Sequence, residues 1–326
     1  MISIIVLTHT GDLIYRCLDS IRNSIDVEYE IIVVADSYRD YGKDVKIILS
    51  KEAPAHKRNF GCNFAKGDYY VFLDDDTELT PSCLITMLHE MKKADMTYST
   101  LINMHDRKTL DHSGAYLGMA GFLIENVPPN IENYILAGKS ACCMIKKDWF
   151  YKVGQFDRDF KMFGEETDLS WRIWLYGGKV TIAPSICYHA FNTPLKDKSQ
   201  YYDKTLIHFD GCKNYPTMLI KNLSAFRLCY TLPLHIIVWL IAYLGLHFSG
   251  QRTESTLLLK GLKYLWKERS LILNKRRHVQ LHRVRKDKEI SPYIMHKKNP
   301  LYYILRLAEY ITQGRSGRTT SPKRVS

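Results

Sequence analysis

The chain opens on ISIIVLT at residues 2–8, a run of aliphatic, mostly β-branched residues broken by Ser3 and closed by Thr8. A short unbroken apolar run predicts a strand covered on both faces. The next stretch, GDLIYRCLDSIRNS, sets Leu13, Cys17, Leu18 and Ile21 on one side of a helix. The pattern then repeats. Strands are predicted at 29–37 (YEIIVVADS), 45–50 (VKIILS) and 69–74 (YYVFLD), with a helix over 56–68 closing at Gly67. A further helix turns Leu84, Met87, Leu88 and Met91 inward, with Thr80 as its N-cap and Pro81 as its first residue. Strands alternating with helices predict an α/β fold whose mostly parallel, Rossmann-like central sheet has helices on both faces. Ligands of such sheets bind beyond the carboxyl ends of the strands. Thr8, Asp36, Asp74, Asp75 and Asp76 all fall at those ends, so they are expected to share one crevice.

Three consecutive aspartates at the end of an apolar strand need a reason, because adjacent carboxylates repel and each is costly to desolvate. A solvated turn is one explanation. A divalent cation is another, since Mg²⁺ and Mn²⁺ favour oxygen ligands. A second acidic group stands in GEETDLSWRIWLYGG, where a helix is predicted from near Glu165 to Gly177. Asp168 and Arg172 sit four apart, the spacing of a supporting ion pair. Glu165 and Glu166 occupy the helix N-terminus, where the dipole favours negative charge. Capping and a general-base role both fit them.

Neither GxGxxG nor GxxxxGK[ST] occurs, which argues against a dinucleotide fingerprint or a P-loop. The eight cysteines form no CxxC and sit mostly among apolar neighbours, so free thiols in a reducing compartment are expected rather than zinc or disulfides. No basic stretch precedes the first apolar run, which therefore reads as a strand and not as a signal peptide. The net charge of +12 is uneven: residues 251–326 hold 19 Lys/Arg against 5 Asp/Glu, leaving 27 against 29 in residues 1–250. A basic tail suits an anionic membrane surface or nucleic acid. The chain lacks a helix-turn-helix signature, zinc spacing or RNP-like aromatics, so nucleic acid is not expected.

Taken in order, IIVLTHT, IIVVADS, HKRNFGCNFAKGDYYVFLDDD, ILAGKSACCMIKKDWFYKVGQFDRDF, GEETDLSWRIWLYGG and CYHAFN resemble the glycosyltransferase family 2 enzymes, over roughly residues 2–192. The passage 136–178 most resembles rhamnosyltransferase-like, polysaccharide-building members. The resemblance implies a GT-A fold and a nucleotide-diphosphate sugar donor. It implies Thr8 and Asp36 at the nucleotide base, Arg58 at the nucleotide with Asn59 and Gly61 shaping its turn, and Asp75 at the ribose. Asp74-x-Asp76 corresponds to the DXD motif, with Asp76 as metal ligand and Mg²⁺ or Mn²⁺ as cofactor. His189 resembles a late histidine that approaches metal or diphosphate. Glu165-Glu166 aligns with an acidic pair whose second member is usually the base, so Glu166 is the first choice and Glu165 the reserve. Two positions depart from the pattern: Ala35 stands where a first acid often precedes Asp36, and Glu166 is one methylene longer than the usual aspartate. The implied reaction is metal-dependent and inverting, onto a hydroxyl of a glycan or lipid-linked acceptor, with residues 95–140 shaping the sugar pocket. A polyprenyl-phosphate sugar synthase and a non-catalytic GT-A-fold binding protein are the alternatives.

Residues 228–248, LCYTLPLHIIVWLIAYLGLHF, hold no Asp, Glu, Lys or Arg. Their length suits a membrane span. Yet a single span from a cytosolic catalytic domain would carry the basic tail across, against the positive-inside rule. An in-plane or re-entrant helix, a span and a buried helix all stay open. LLLKGLKYLW and NKRRHVQLHRVRKDK add basic, partly apolar segments after it. The expected organisation is a catalytic domain over 1–222, a helical membrane-associating region over 223–312 and a disordered tail over 313–326. The expected location is the cytoplasmic face of the cell membrane.

Overall fold

The computed structural model describes residues 1–9, 11–190, 204–298 and 300–316. β1 (Ile2–Thr8) is buried at every position, as its unbroken apolar run requires. After it come α1 (Leu13–Arg22), β2 (Tyr29–Ala35), β3 (Val45–Leu49), α2 (Pro54–Cys62) and β4 (Tyr69–Asp74). The middle of the chain holds β5 (Thr77–Leu79), α3 (Cys83–Glu90), β6 (Met96–Asn103), β7 (Leu110–His112), β8 (Ala115–Leu117), β9 (Leu123–Glu125) and β10 (Cys142–Lys146). α4 (Lys147–Lys152), α5 (Glu165–Leu175) and β11 (Val180–His189) follow. The remainder is helical: α6 (Lys204–Asn222), α7 (Ala225–Phe248), α8 (Arg252–Lys267), α9 (Arg269–Leu281), α10 (Asp287–Ile294) and α11 (Pro300–Ser316).

The main sheet runs β3-β2-β1-β4-β10-β6-β11-β5, with β7 hydrogen-bonded to β6. β3, β2, β1 and β4 are parallel, and β11 is parallel to β6. β10 is antiparallel to both β4 and β6, which makes the sheet mixed at its centre. Alternate β1 residues feed separate cores. Ile4 and Val6 share one core with Ile14 and Leu18 of α1 and Leu84 and Met87 of α3 on one face. Ile5 and Leu7 belong to the core that holds Phe72, Phe150, Leu169 and Trp171 on the other. Helices therefore cover both faces.

Two boundaries differ from expectation. The helix over 56–68 stops at Cys62. Gly67 does not cap it; its N–H donates to Ser3 Oγ at 2.8 Å, and a Cβ there would lie 2.7 Å from the Ser3 nitrogen. The helix expected from Thr80 and Pro81 begins at Cys83 with Ser82 before it. Residues 77–79 extend as β5, and the Thr80 hydroxyl donates to the Ile186 carbonyl at 2.9 Å, so it is spent on the sheet rather than on a cap. The final helix runs through Ser316; Phe191, Asn192 and the tail from 317 lie outside the described residues.

α7 is long and apolar enough to cross a membrane by length and composition. Thr231, His235, Trp239, Ala242 and Leu246 form its buried side, and Trp239, Ala242 and Leu246 pack with Cys212 and Leu258. Its opposite side, Phe226, Tyr230, Leu234, Ile237, Ile241, Leu244 and Phe248, is exposed. The helical region is fixed to the body by a buried ion network. Lys221 reaches Asp157 Oδ2 at 2.5 Å and Asp168 Oδ2 at 2.9 Å, Lys275 joins Asp157 and Asp159, and Asn222 and Arg172 also bind Asp168. Among the described residues all eight cysteines are free, with Cys229 alone exposed.

Candidate active site

The parallel strands end at one edge, and their last residues meet there. The Thr8 hydroxyl, at the end of β1, donates to Asp75 Oδ2 at 2.5 Å. Asp36, one residue past β2, accepts from the buried Lys57 ammonium and from His9 Nδ1 at 2.5 Å. Lys57 also donates to the Thr8 carbonyl at 3.2 Å, so one cation pins the ends of β1 and β2 together. Burial and the Lys57 charge push His9 down to about 4, which makes its contact with Asp36 a neutral N–H donor. Burial pushes Asp75 up to about 7, and the Asp76 and Asp74 charges add to it, against the Thr8 hydrogen bond.

Asp74, Asp76 and His189 each present a ligand atom, all within 4.8 Å of one another. β11 carries His189, and its pairing with β5 places that histidine opposite Thr77, beside the aspartates. His189 Nε2 lies 3.4 Å from Asp76 Oδ1. Its Nδ1 is 2.8 Å from Asp111 Oδ2, and Asp111 also binds Lys139 at 2.7 Å. This carboxylate–imidazole–cation arrangement is the usual support of a metal-ligating histidine. Burial opposes a charge on His189, but Asp111 and Asp76 outweigh it and raise the ring to about 10. A metal at Nε2 would have to displace that proton. Two carboxylates and one imidazole fit a divalent cation, and the imidazole suits Mn²⁺ better than Mg²⁺.

The acid pair opens α5. Gly164 precedes it with φ +86, a left-handed conformation that favours glycine. Arg58, only 3% exposed, donates to Glu165 Oε1 and to Asp74 Oδ1, each at 3.0 Å. Burial works against its charge, yet Asp74 and Glu165 more than compensate and hold it protonated. The two carboxylates thus have different surroundings. Glu165 is the counter-ion of a buried guanidinium. Burial drives Glu166 well above the carboxylate range, and the neighbouring Glu165 charge adds to this. A carboxyl so raised is a stronger base once ionised.

The expected residues therefore converge: Thr8, Asp36, Asp74, Asp75, Asp76, His189 and, through Arg58, Glu165 and Glu166. Arg58 points at the two carboxylates rather than lying open, and Asn59 pairs with the Phe156 backbone through both amide atoms. Gly61 lies inside α2, where a Cβ would sit 2.8 Å from Ile5, so its role is close helix–sheet packing. Sequence reading missed Lys57, His9, Asp111 and Lys139. Lys57 and His9 adjoin residues that carry the motifs. Asp111 has no local signal and arrives through the β6–β7 pairing.

The sequence profile described as Glycosyl transferase family 2 matches residues 3–176, just over half of the chain. An inactive polypeptide N-acetylgalactosaminyltransferase-like protein 5 of Macaca fascicularis is 28% identical over 219 residues, covering 56% of this chain and 49% of its own length. Polypeptide N-acetylgalactosaminyltransferase 5 of Mus musculus is 27% identical over 170 residues, 46% and 18% of the two chains. This chain thus spans about half or less of these curated relatives. Among solved structures, GalNAc-T7 with UDP, GalNAc and Mn²⁺ superposes with TM-score 0.57 at 16% identity, covering 71% of this chain and 49% of that one. The mannosyltransferase PcManGT of Pyrobaculum calidifontis, in complex with GDP-Man and Mn²⁺, gives 0.52 at 13% identity, covering 96% and 85%. Those similarities establish a shared GT-A fold. With the profile spanning the strand-end aspartates and the acid pair, the chain belongs to glycosyl transferase family 2.

Proposed function

We propose that this protein is a metal-dependent, inverting glycosyltransferase that moves a sugar from a nucleotide-diphosphate donor to an acceptor hydroxyl at a membrane surface. The observation that carries the reading is Arg58, whose single guanidinium joins Asp74 of the metal-competent cluster to Glu165 of the acid pair. The site that would hold a cation and the site that would hold a base are thereby parts of one constellation. The solved structures of GalNAc-T7 and PcManGT contain Mn²⁺ with a nucleotide or nucleotide-sugar. One relative described as inactive shows that the fold alone does not ensure turnover. Here Asp74, Asp76, His189, Glu165 and Glu166 are all present.

Thr8, Asp36 and Asp75 would orient the nucleoside, with Lys57 fixing Asp36. Asp74, Asp76 and His189 would hold the cation, which when bound neutralises the diphosphate and stabilises its departure. Glu166 takes the proton of the acceptor hydroxyl. The acceptor oxygen bonds to the anomeric carbon from the face opposite the breaking bond to the diphosphate, so configuration inverts. Glu165 pairs with Arg58, and its proximity keeps Glu166 basic. The exposed apolar side of α7, packed along its other side, favours an in-plane membrane helix over a span, consistent with a glycan or lipid-linked acceptor.

A thermal-shift panel of nucleoside diphosphates and nucleotide-sugars tests this, each with Mn²⁺ and with EDTA. A ligand specific to the native state at a hundred times its Kd adds about 2.7 kcal/mol of stability. One nucleotide class should stabilise the protein with Mn²⁺ and not with EDTA. Stabilisation by none, at saturating ligand, refutes the donor site.

A further inference from the structure

A cleft of about 690 Å³ opens at the start of α7, away from the strand-end carboxylates. Its walls carry Arg227, Arg276, Arg277, Arg283, Lys286 and Lys288 against a single carboxylate, Asp287. Asp287 is already engaged by Arg283 and by the Ser224 N–H. Among the described residues Arg276 donates to the backbone carbonyls of Ile220 and Leu223, and Arg227 to Ser291 and Met295. The first turn of α7 also faces the cleft at Ser224–Arg227, adding the positive end of a 24-residue helix. Like charges crowded this way repel. Arg276 shows the strain: burial lowers its affinity for its proton, and Arg283 lowers it further. An anion would relieve that repulsion.

The same cleft contains Phe226 and Tyr230, the first two members of the exposed apolar side of α7. From Phe226 to Phe248 that side is about 33 Å long at 1.5 Å per residue. Leu281 and Val284, both exposed, stand on the segment that forms the cleft's basic wall. An apolar strip meeting a cationic hollow is complementary to one occupant in particular, a lipid whose acyl chains lie along the strip and whose phosphate enters the hollow. A soluble phosphate would use the cations and leave the strip bare.

We propose that this cleft is a binding site for the phosphate headgroup of an anionic membrane lipid, seating α7 in the plane of the bilayer. The proposal rests on the membrane-surface reading of α7 and adds the headgroup site to it.

The test is co-sedimentation of the full chain, at low salt, with neutral phosphatidylcholine vesicles and with vesicles containing phosphatidylglycerol. A basic residue near an anionic surface contributes on the order of 1 kcal/mol. Neutralising the exposed Arg277, Lys286 and Lys288 together to Gln should therefore weaken binding to anionic vesicles about a hundredfold. It should leave neutral-vesicle binding and the melting temperature unchanged. Neutralising Lys260, Lys263 and Lys267 on α8 removes equal charge elsewhere in the basic region, and a far smaller loss is expected. Equal losses in the two variants would mean diffuse attraction and refute the cleft. Unchanged anionic binding in the first variant would do the same. Release of the protein from anionic vesicles by millimolar inorganic phosphate at constant ionic strength would assign the cleft to soluble phosphate instead. If the native chain binds neither vesicle, the membrane reading itself falls, while the nucleotide assay still reports on the active site.

Discussion

Replacing Glu166 with glutamine removes one negative charge and nearly no volume, so its effect on chemistry can be separated from its effect on binding. Arg58 is ion-paired with Asp74 and Glu165, and Glu166 acts on it only through its charge, so the crevice keeps both ion pairs. Donor binding should be unchanged. Turnover should fall by the contribution of a general base, about two to four orders of magnitude, or roughly 3–5 kcal/mol in the barrier. Glu165→Gln is the contrasting change. Its amide oxygen still accepts from Arg58, and the loss is the difference between a charged and a neutral hydrogen bond, on the order of 1–2 kcal/mol. A rate loss of about tenfold is expected. The pH profile separates the roles further. Burial and the Glu165 charge raise Glu166, so the active, ionised form accumulates as pH rises and the rate climbs with it. Removing the Glu165 charge lowers Glu166, and the rising limb should move to lower pH. The assay is kcat against pH for the native chain and both variants, with donor affinity measured by calorimetry in Mn²⁺. If Glu165→Gln loses a thousandfold while Glu166→Gln keeps most activity, the assignment of roles is wrong.

The remaining predictions concern supports. Lys221→Met leaves Asp168 with Arg172 and Asn222 and leaves Asp157 with Lys275, so scanning calorimetry should show a loss of about 3 kcal/mol, the low end for a broken buried pair; an unchanged melting temperature would show the network to be ornamental. Burial works against ionised Asp157 and Asp168, but their lysine and arginine partners hold both below the usual carboxylate range. Their stabilisation is thus present above the unfolded value near 4 and is lost as pH falls below it, so melting temperature should drop more steeply between about pH 5 and 3 in the native chain than in Lys221→Met. Lys57→Met unpins Asp36 from the Thr8 carbonyl and should weaken nucleotide binding about tenfold in calorimetry, with Glu166-dependent pH behaviour retained; unaltered affinity would detach Asp36 from the donor.

Hydrophobic periodicity made β1, β2, β4 and α5 legible because their apolar faces are continuous and their ends are marked by charge or glycine. Strand termini could be read as a site because parallel topology places them at one edge. The α3 boundary departs from its sequence pattern because Thr80 and Pro81 obey local capping rules, while the Thr80 hydroxyl is claimed by Ile186, more than a hundred residues away. Local propensity does not encode that partner. The same limit explains Asp111, which supports His189 only because two strands pair. Arg58 was found by position, but its contacts needed the fold: nothing in HKRN says that one guanidinium spans Asp74 and Glu165. The sidedness of α7 was likewise hidden, since Trp239 and Ala242 are as apolar as Ile237 and Ile241, and only packing distinguishes them.

α5 connects these observations. Its first turn carries Glu165, held to the strand ends by Arg58, and beside it Glu166, the proposed base. Three residues after Glu165, Asp168 binds Lys221 and Asn222 at the end of α6, two residues before the cap of α7. Asp168 is fully buried, so this attachment has no water to loosen it. A side-chain lever of one helical turn therefore separates the proposed base from the helices that carry the apolar strip. Had the helical region been a tethered appendage, membrane contact would only concentrate the enzyme near its acceptor. Joined at α5, it would also fix the orientation of the crevice relative to a bilayer on which α7 lies as proposed, and an acceptor presented at one depth would meet Glu166 at a constant height.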